Sequence, residues 1–232
     1  MTIEEMHITF RELAQQMGMQ TTRAILMEDI DICLNAAIID TVKELITVTV
    51  GPLPYNDKVA RQNAAISPIN GLRTLYKKGS IQEEDINGEG TEVSPYTINI
   101  NSDNIMLYTG FKVSYNGNTL YDCRIIENED LGQTLRDFCN RAAKDAPICT
   151  IVGDTTKIKV DIFTGVKKAV KPKLIQYLYI NEPAKVYYDE DNIELNVNCD
   201  LPQYLHTDVV KRAVTVYLAS IGAIRDTNKN ND

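Results

Sequence analysis

The sequence has two histidines, the side chains best suited to proton transfer near neutral pH and to metal binding. His7 falls within the first predicted helix, and His206 begins the last one. Neither has a second histidine or cysteine at the close spacing typical of zinc sites. For His206, helix capping or a hydrogen bond at an interface is favoured over an acid–base role. The histidines therefore predict no catalytic residue and no metal ligand.

The five cysteines are further candidate metal ligands, and they lie far apart along the chain. None of them forms a CxxC pair, and an odd number cannot form a complete set of disulfides. This spacing predicts buried free thiols in a reducing compartment and no zinc cluster. The cysteines are Cys33, Cys123, Cys139, Cys149 and Cys199.

One run of carboxylates, Asp189, Glu190 and Asp191, could bind a divalent cation through oxygen atoms. It lacks the spaced DxDxDG pattern of a calcium loop and falls in a predicted hairpin, so a solvated turn is favoured. The chain has no GxSxG, P-loop or HExxH motif. The sequence therefore predicts a protein that is not an enzyme and holds no cofactor. The alternative is an acidic-residue, metal-dependent hydrolase or nuclease, because carboxylates can converge in the folded chain.

The chain is acidic, with 24 basic and 32 acidic residues and a formal net charge of −8. Such a chain is repelled on average by nucleic-acid phosphates and by anionic membranes. No segment approaches the apolar length of a membrane span, so no membrane association is expected. The basic cluster is expected to meet an acidic protein surface rather than DNA. It consists of Lys167, Lys168, Lys171 and Lys173.

The periodicity of apolar residues predicts an α+β fold: a helical N-terminal region, an antiparallel β-rich middle with an inserted helix, and a C-terminal helix. Thr2 and Glu5 have the pattern of a capping box for the first helix. Asn116-Gly117 indicates a hairpin, because both residues tolerate positive φ. The predicted regions are 1–80 (helical), 81–200 (β-rich, with the inserted helix at 129–145), 201–224 (C-terminal helix packing on the rest) and 225–232 (flexible tail). The strands predicted nearest the end of the β-rich region are 185–188 and 193–198.

Two parts of the chain resemble virion structural proteins of crAss-like bacteriophages. The first is Ile3–Met19 (IEEMHITFRELAQQMGM), followed by Ile30–Ala37 (IDICLNAA); the second is Cys199–Val214 (CDLPQYLHTDVVKRAV). The resemblance implies a neck protein, a head-to-tail connector that forms a ring of twelve subunits beneath the portal. It also implies that the partners are further copies of the chain, the portal protein and other neck or tail rings, with DNA as passing cargo. The protein would be assembled in the host cytoplasm and reside in the virion.

Several residues are candidates for contacts between subunits in such a ring. Those on the predicted helices are Ile30, Leu34, Ile38, Leu45 and Tyr217, those at the hairpin tip are Asn116 and Gly117, and those of the basic cluster are Lys167 and Lys168. The alternative for the helical residues is that their apolar stripes cover the core of the subunit itself. A third possible function is a monomeric binding module, which would have a cleft lined by aromatic side chains.

Overall fold

The structure is a computed structural model that describes residues 1–17, 25–50, 70–153, 157–165 and 169–221. The helices with described bounds are α1 (Ile3–Gln16), α2 (Met27–Val50), α3 (Asn128–Arg136) and α4 (His206–Ser220). The strands are β1 (Tyr76–Gln82), β2 (Tyr96–Asn101), β3 (Ile105–Ser114), β4 (Tyr121–Ile125), β5 (Ile148–Gly153), β6 (Lys157–Phe163) and β7 (Leu174–Asn181). The predicted α+β class is confirmed.

The chain forms two compact units. A helical unit comprises Met1–Leu75 and Pro183–Asp232, and a β unit comprises Tyr76–Glu182. The β unit is therefore inserted in the chain between α2 and α4. Among the described residues, no helix is both long and apolar enough to cross a bilayer.

In the helical unit, α1 begins at the predicted capping box. Thr2 Oγ1 accepts a hydrogen bond from the Glu5 N–H at 3.2 Å, and the Glu5 carboxylate accepts one from the Thr2 N–H at 2.9 Å. These two bonds satisfy backbone donors that the helix itself leaves unpaired. Helix α4 packs against both α1 and α2, with Phe10 and Tyr217 edge to face at 5.7 Å between ring centroids. The apolar stripes of the three helices thus form the core of this unit.

The β unit is one seven-stranded sheet in the order β1-β7-β3-β4-β5-β6-β2. All neighbouring pairs are antiparallel except β4 and β5. The first part of β4 pairs with β3 and its last two residues pair with β5, so β4 joins two halves of the sheet. Apolar residues from one face of both halves share a single core cluster, which includes Ile98, Phe111 and Ile162. The two halves of the sheet therefore share one core, and the residues of α3 belong to a separate cluster with Ile148 and Phe163.

The predicted hairpin at Asn116-Gly117 is confirmed as the connection between β3 and β4. Gly117 has φ +79°, in the left-handed region that favours glycine. The Asn116 side-chain oxygen accepts hydrogen bonds from the N–H groups of Asn118 and Thr119, both at 3.0 Å. This side chain therefore replaces backbone partners in the turn, a role for which asparagine is well suited.

Other predicted bounds differ from the structure. Strand β1 begins at Tyr76, inside the region predicted to be helical up to residue 80, and the segment 183–200 belongs to the helical unit rather than to the β-rich region. The inserted helix was expected to extend to residue 145 but ends at Arg136, because the Asp137 carboxylate forms a turn by accepting the Cys139 N–H at 2.9 Å. The C-terminal helix begins at His206, after a short 3-10 turn. The tail 225–232 lies outside the described residues.

Candidate interaction surface

Most of the predicted contact residues on the helices lie in the core. Ile30, Leu34 and Ile38 are at most 1% exposed, Tyr217 is buried, and Leu45 is half-buried. The prediction of subunit contacts is therefore wrong for Ile30, Leu34, Ile38 and Tyr217, because a partner cannot reach them, and it stays a prediction for Leu45. The alternative, that both helices cover the core of their own subunit, is what the structure shows. The apolar stripe of α2 is buried because α4 packs against α2 within the same subunit.

The remaining predicted contact residues have different outcomes. Asn116 and Gly117 are exposed at the tip of their hairpin, and their role in binding a partner stays a prediction. Lys167 and Lys168 lie outside the described residues. Lys171 and Lys173, from the same basic cluster, are exposed in the β unit.

The histidines have structural partners. The His206 ring nitrogens lie 2.8 Å from the Leu201 carbonyl oxygen and 3.2 Å from that of Met1, so the ring ties the start of α4 to the N-terminus. His7 is buried against Asp31, with 2.8 Å between His7 Nε2 and Asp31 Oδ1. Burial lowers the pKa of His7, because loss of water disfavours the imidazolium more than the carboxylate favours it.

All five cysteines are free thiols, and the predicted burial is confirmed for four of them. Cys33, Cys123, Cys149 and Cys199 are free and buried, whereas Cys139 is free and exposed in the turn after α3. In the part of the chain that the structure describes, no group of three or more His, Cys, Asp or Glu side chains is placed to hold a metal ion.

A surface that the sequence did not indicate lies on the segment between β7 and α4. Four large apolar or aromatic side chains are exposed there, with Ile193 at 79% and Leu195 at 53% of their possible area. Tyr187 and Val197 are joined by a bridge whose two N–H···O distances are 3.3 and 2.9 Å. We call these residues the outward face: Tyr187, Ile193, Leu195 and Val197.

The outward face is held in position by part-buried hydrogen bonds to α2. The side-chain amide of Asn35 pairs with the backbone of Val186 in both directions, at 2.8 and 3.0 Å. Asp31 Oδ2 accepts the Tyr188 N–H at 3.1 Å while its other oxygen binds His7. Val186 is therefore buried and Tyr188 is half-buried, and the alternation of an extended chain turns Tyr187 outward between them.

These contacts also explain why two predicted strands are missing. Over 185–188 and 193–198 the structure has the single bridge between Tyr187 and Val197 and a 3-10 turn at Ile193–Leu195. The backbone of Val186 pairs with a side chain of α2 instead of a neighbouring strand. The β-branched and aromatic composition of these segments favoured strands, but composition does not show which partner the backbone takes.

Carboxylates lie beside the residues of the outward face in the chain. Glu190, Asp191 and Glu194 are exposed, and none of the ion pairs found among the described residues includes them. Asp189 Oδ1 accepts the N–H groups of Asp191 and Asn192 at 2.9 and 3.2 Å. The Asp189 carboxylate thus closes a turn, as the sequence favoured. We call the three exposed carboxylates, Glu190, Asp191 and Glu194, the acidic rim.

The β unit has an open cleft of about 800 Å³ between the end of β4 and α3. Arg124 donates to the Asn140 carbonyl oxygen, and the Asn140 amide donates to Asp137 at 2.6 Å. These bonds hold the pKa of Asp137 below its usual value, chiefly through the Asn140 amide. The described lining residues include no aromatic side chain, which a cleft of the predicted binding module would have.

Comparison with known proteins assigns the chain to no family: no protein-family model matches it, and no curated protein sequence matches it. The resemblance to crAss-like phage proteins therefore rests on the sequence segments that carry it. The outward face is an independent, structural reason to expect a protein partner.

Proposed function

We propose that this chain is a structural, non-enzymatic virion protein that assembles into a neck ring of a crAss-like bacteriophage. In this role it is a head-to-tail connector of twelve subunits beneath the portal, through which DNA passes toward the tail. Its partners are further copies of itself, the portal protein and other neck or tail ring proteins. Assembly takes place in the host cytoplasm, and the mature location is the neck of the virion.

The observation that carries this proposal is the outward face of the helical unit. An apolar patch exposed in a single subunit is a mark of protein–protein contact. Tyr187 and Val197 lie side by side across their bridge, and Ile193 and Leu195 are exposed between them in the chain. The outward face is also preformed, because the bonds from Asn35 and Asp31 hold the backbone on which Tyr187 projects. A preformed surface loses little conformational entropy on binding, which favours stable assembly.

The charge of the chain supports the same role. A net charge of −8 repels DNA phosphates on average, which suits a protein that surrounds moving DNA without gripping it. A ring also requires head-to-tail contacts, in which each subunit offers two different complementary surfaces. The outward face supplies one such surface.

The test is the molar mass of the purified chain, measured by light scattering after size exclusion, alone and with the portal protein. We expect a ring-sized assembly, or a monomer that the portal recruits into one. Substituting Ile193→Asp should abolish assembly, because a charge then replaces a side chain that the contact must bury.

Val93→Asp is the matched control, since Val93 is 95% exposed in the β unit and lies apart in sequence from the outward face. It should assemble like the natural chain. A natural chain that stays monomeric at high concentration and ignores the portal contradicts the proposed function. Equal assembly of both variants contradicts the role given to the outward face.

A further inference from the structure

We infer that the outward face and its acidic rim dock onto a basic segment in the β unit of a second copy of this chain. The basic segment consists of Val170, Lys171 and Lys173. The inference rests on the proposed function and deepens it, because it names both surfaces of the contact between neighbouring subunits. In this contact the apolar side chains of the outward face meet Val170, and the carboxylates of the acidic rim meet the ammonium groups of Lys171 and Lys173.

The basic segment is an ordered surface. The Thr164 hydroxyl donates to the Val170 carbonyl oxygen at 2.9 Å and accepts the Val170 N–H at 3.0 Å. Pro172 is buried, and the Lys173 N–H donates to the Ser114 carbonyl oxygen at 2.9 Å. The two lysines on either side of Pro172 are therefore held on the surface, where both are exposed.

Both surfaces have charges that are not neutralised within the described part of the subunit. No ion pair found there includes Lys171 or Lys173, and none includes Glu190, Asp191 or Glu194. Lys112, elsewhere in the β unit, is by contrast paired with Asp122 at 2.9 Å, whereas Lys77 and Lys78 on β1 are exposed and in no ion pair found there. Charges left free around exposed apolar side chains are available to orient a partner of opposite sign.

A second copy of the chain fits this requirement because each copy carries both surfaces. Two acidic faces would repel each other, so a symmetric contact between outward faces is disfavoured. Contact between the outward face of one copy and the basic segment of the next is a heterologous contact, which repeats from subunit to subunit and can close a ring.

Charge reversal tests the pairing. Glu190→Lys with Glu194→Lys should raise the protein concentration needed for half-assembly by about tenfold or more, and Lys171→Glu with Lys173→Glu should do the same. The chain with all four substitutions should reach half-assembly within about threefold of the concentration that the natural chain needs. The two surfaces then attract each other again, with the positive and negative charges exchanged between them. Lys77→Glu with Lys78→Glu is the control, since these exposed lysines lie on β1 and the change in net charge is the same as in the Lys171→Glu, Lys173→Glu variant.

Circular dichroism checks that each variant is folded, and light scattering over a dilution series measures assembly. If the natural chain assembles but the two charge-reversal variants, Glu190→Lys with Glu194→Lys and Lys171→Glu with Lys173→Glu, assemble like the control, the pairing is overturned while the proposed function stands. The pairing is also overturned if both double variants lose assembly and the chain with all four substitutions does not recover it. A natural chain that is monomeric and ignores the portal overturns both.

Discussion

Removing the Asp31 carboxylate should destabilise the helical unit and release the segment that carries the outward face. This carboxylate accepts hydrogen bonds from two separate groups, the His7 ring at 2.8 Å and the Tyr188 N–H at 3.1 Å. In Asp31→Ala both donors lose their acceptor. Changing the tautomer does not rescue His7, because its Nδ1 is also buried without a partner in the structure.

The expected cost follows from these two donors. A buried donor left unpaired costs about 1–3 kcal/mol, and Tyr188 is only half-buried, so Asp31→Ala should lower the free energy of unfolding by about 2–4 kcal/mol. Asp40→Ala removes an exposed carboxylate from the same helix and should change it by no more than about 0.5 kcal/mol. Helical circular dichroism during urea unfolding measures both values.

A difference between Asp31→Ala and Asp40→Ala smaller than about 0.5 kcal/mol would refute the reasoning. It would mean that water or a shifted backbone replaces the carboxylate at little cost. A second readout separates this case from simple loss of stability. Hydrogen exchange of the Tyr188 amide should become faster in Asp31→Ala than in Asp40→Ala under conditions where both remain folded.

Two further predictions concern single positions. Burial lowers the pKa of His7 below its ordinary 6.5, so the unfolded chain binds the proton more readily and the free energy of unfolding should fall as the pH drops below about 6.5. His7→Gln should remove that part of the pH dependence of the free energy of unfolding, measured in urea. An unchanged pH profile in His7→Gln would contradict the role of His7 in the pH dependence. Gly117→Ala should cost about 1 kcal/mol because its φ is +79°, whereas Gly132→Ala, in the open on α3, should stabilise by up to about 1 kcal/mol. Thermal unfolding compares the two, and equal shifts would contradict the role of the turn.

Local signals in the sequence determined several elements correctly. The capping box at Thr2 and Glu5 and the hairpin at Asn116-Gly117 depend on residues three or fewer positions apart, so the sequence contains all the groups involved. The long amphipathic pattern of α2 is similarly local, because helical hydrogen bonds join residues four apart. These elements together were sufficient for the α+β class.

Tertiary structure decided the features that depend on a distant partner. The residues of β1, from Tyr76 to Gln82, have little strand character, and they form a strand because β7 pairs with them about a hundred residues later in the chain. The buried stripe of Ile30, Leu34 and Ile38 was visible in the sequence, but which element covers it was not.

The outward face shows the same limit most clearly. The β-branched and aromatic residues around Tyr187 and Val197 predicted two strands, but the structure has one bridge between these residues and a 3-10 turn at Ile193–Leu195. The pairing of the Val186 backbone with the Asn35 side chain joins residues 151 positions apart, and that pairing decides which side chains are buried and which face solvent. Sequence periodicity determines that one side of a segment differs from the other, whereas only the folded chain determines which side finds a partner within the subunit and which is left for another protein.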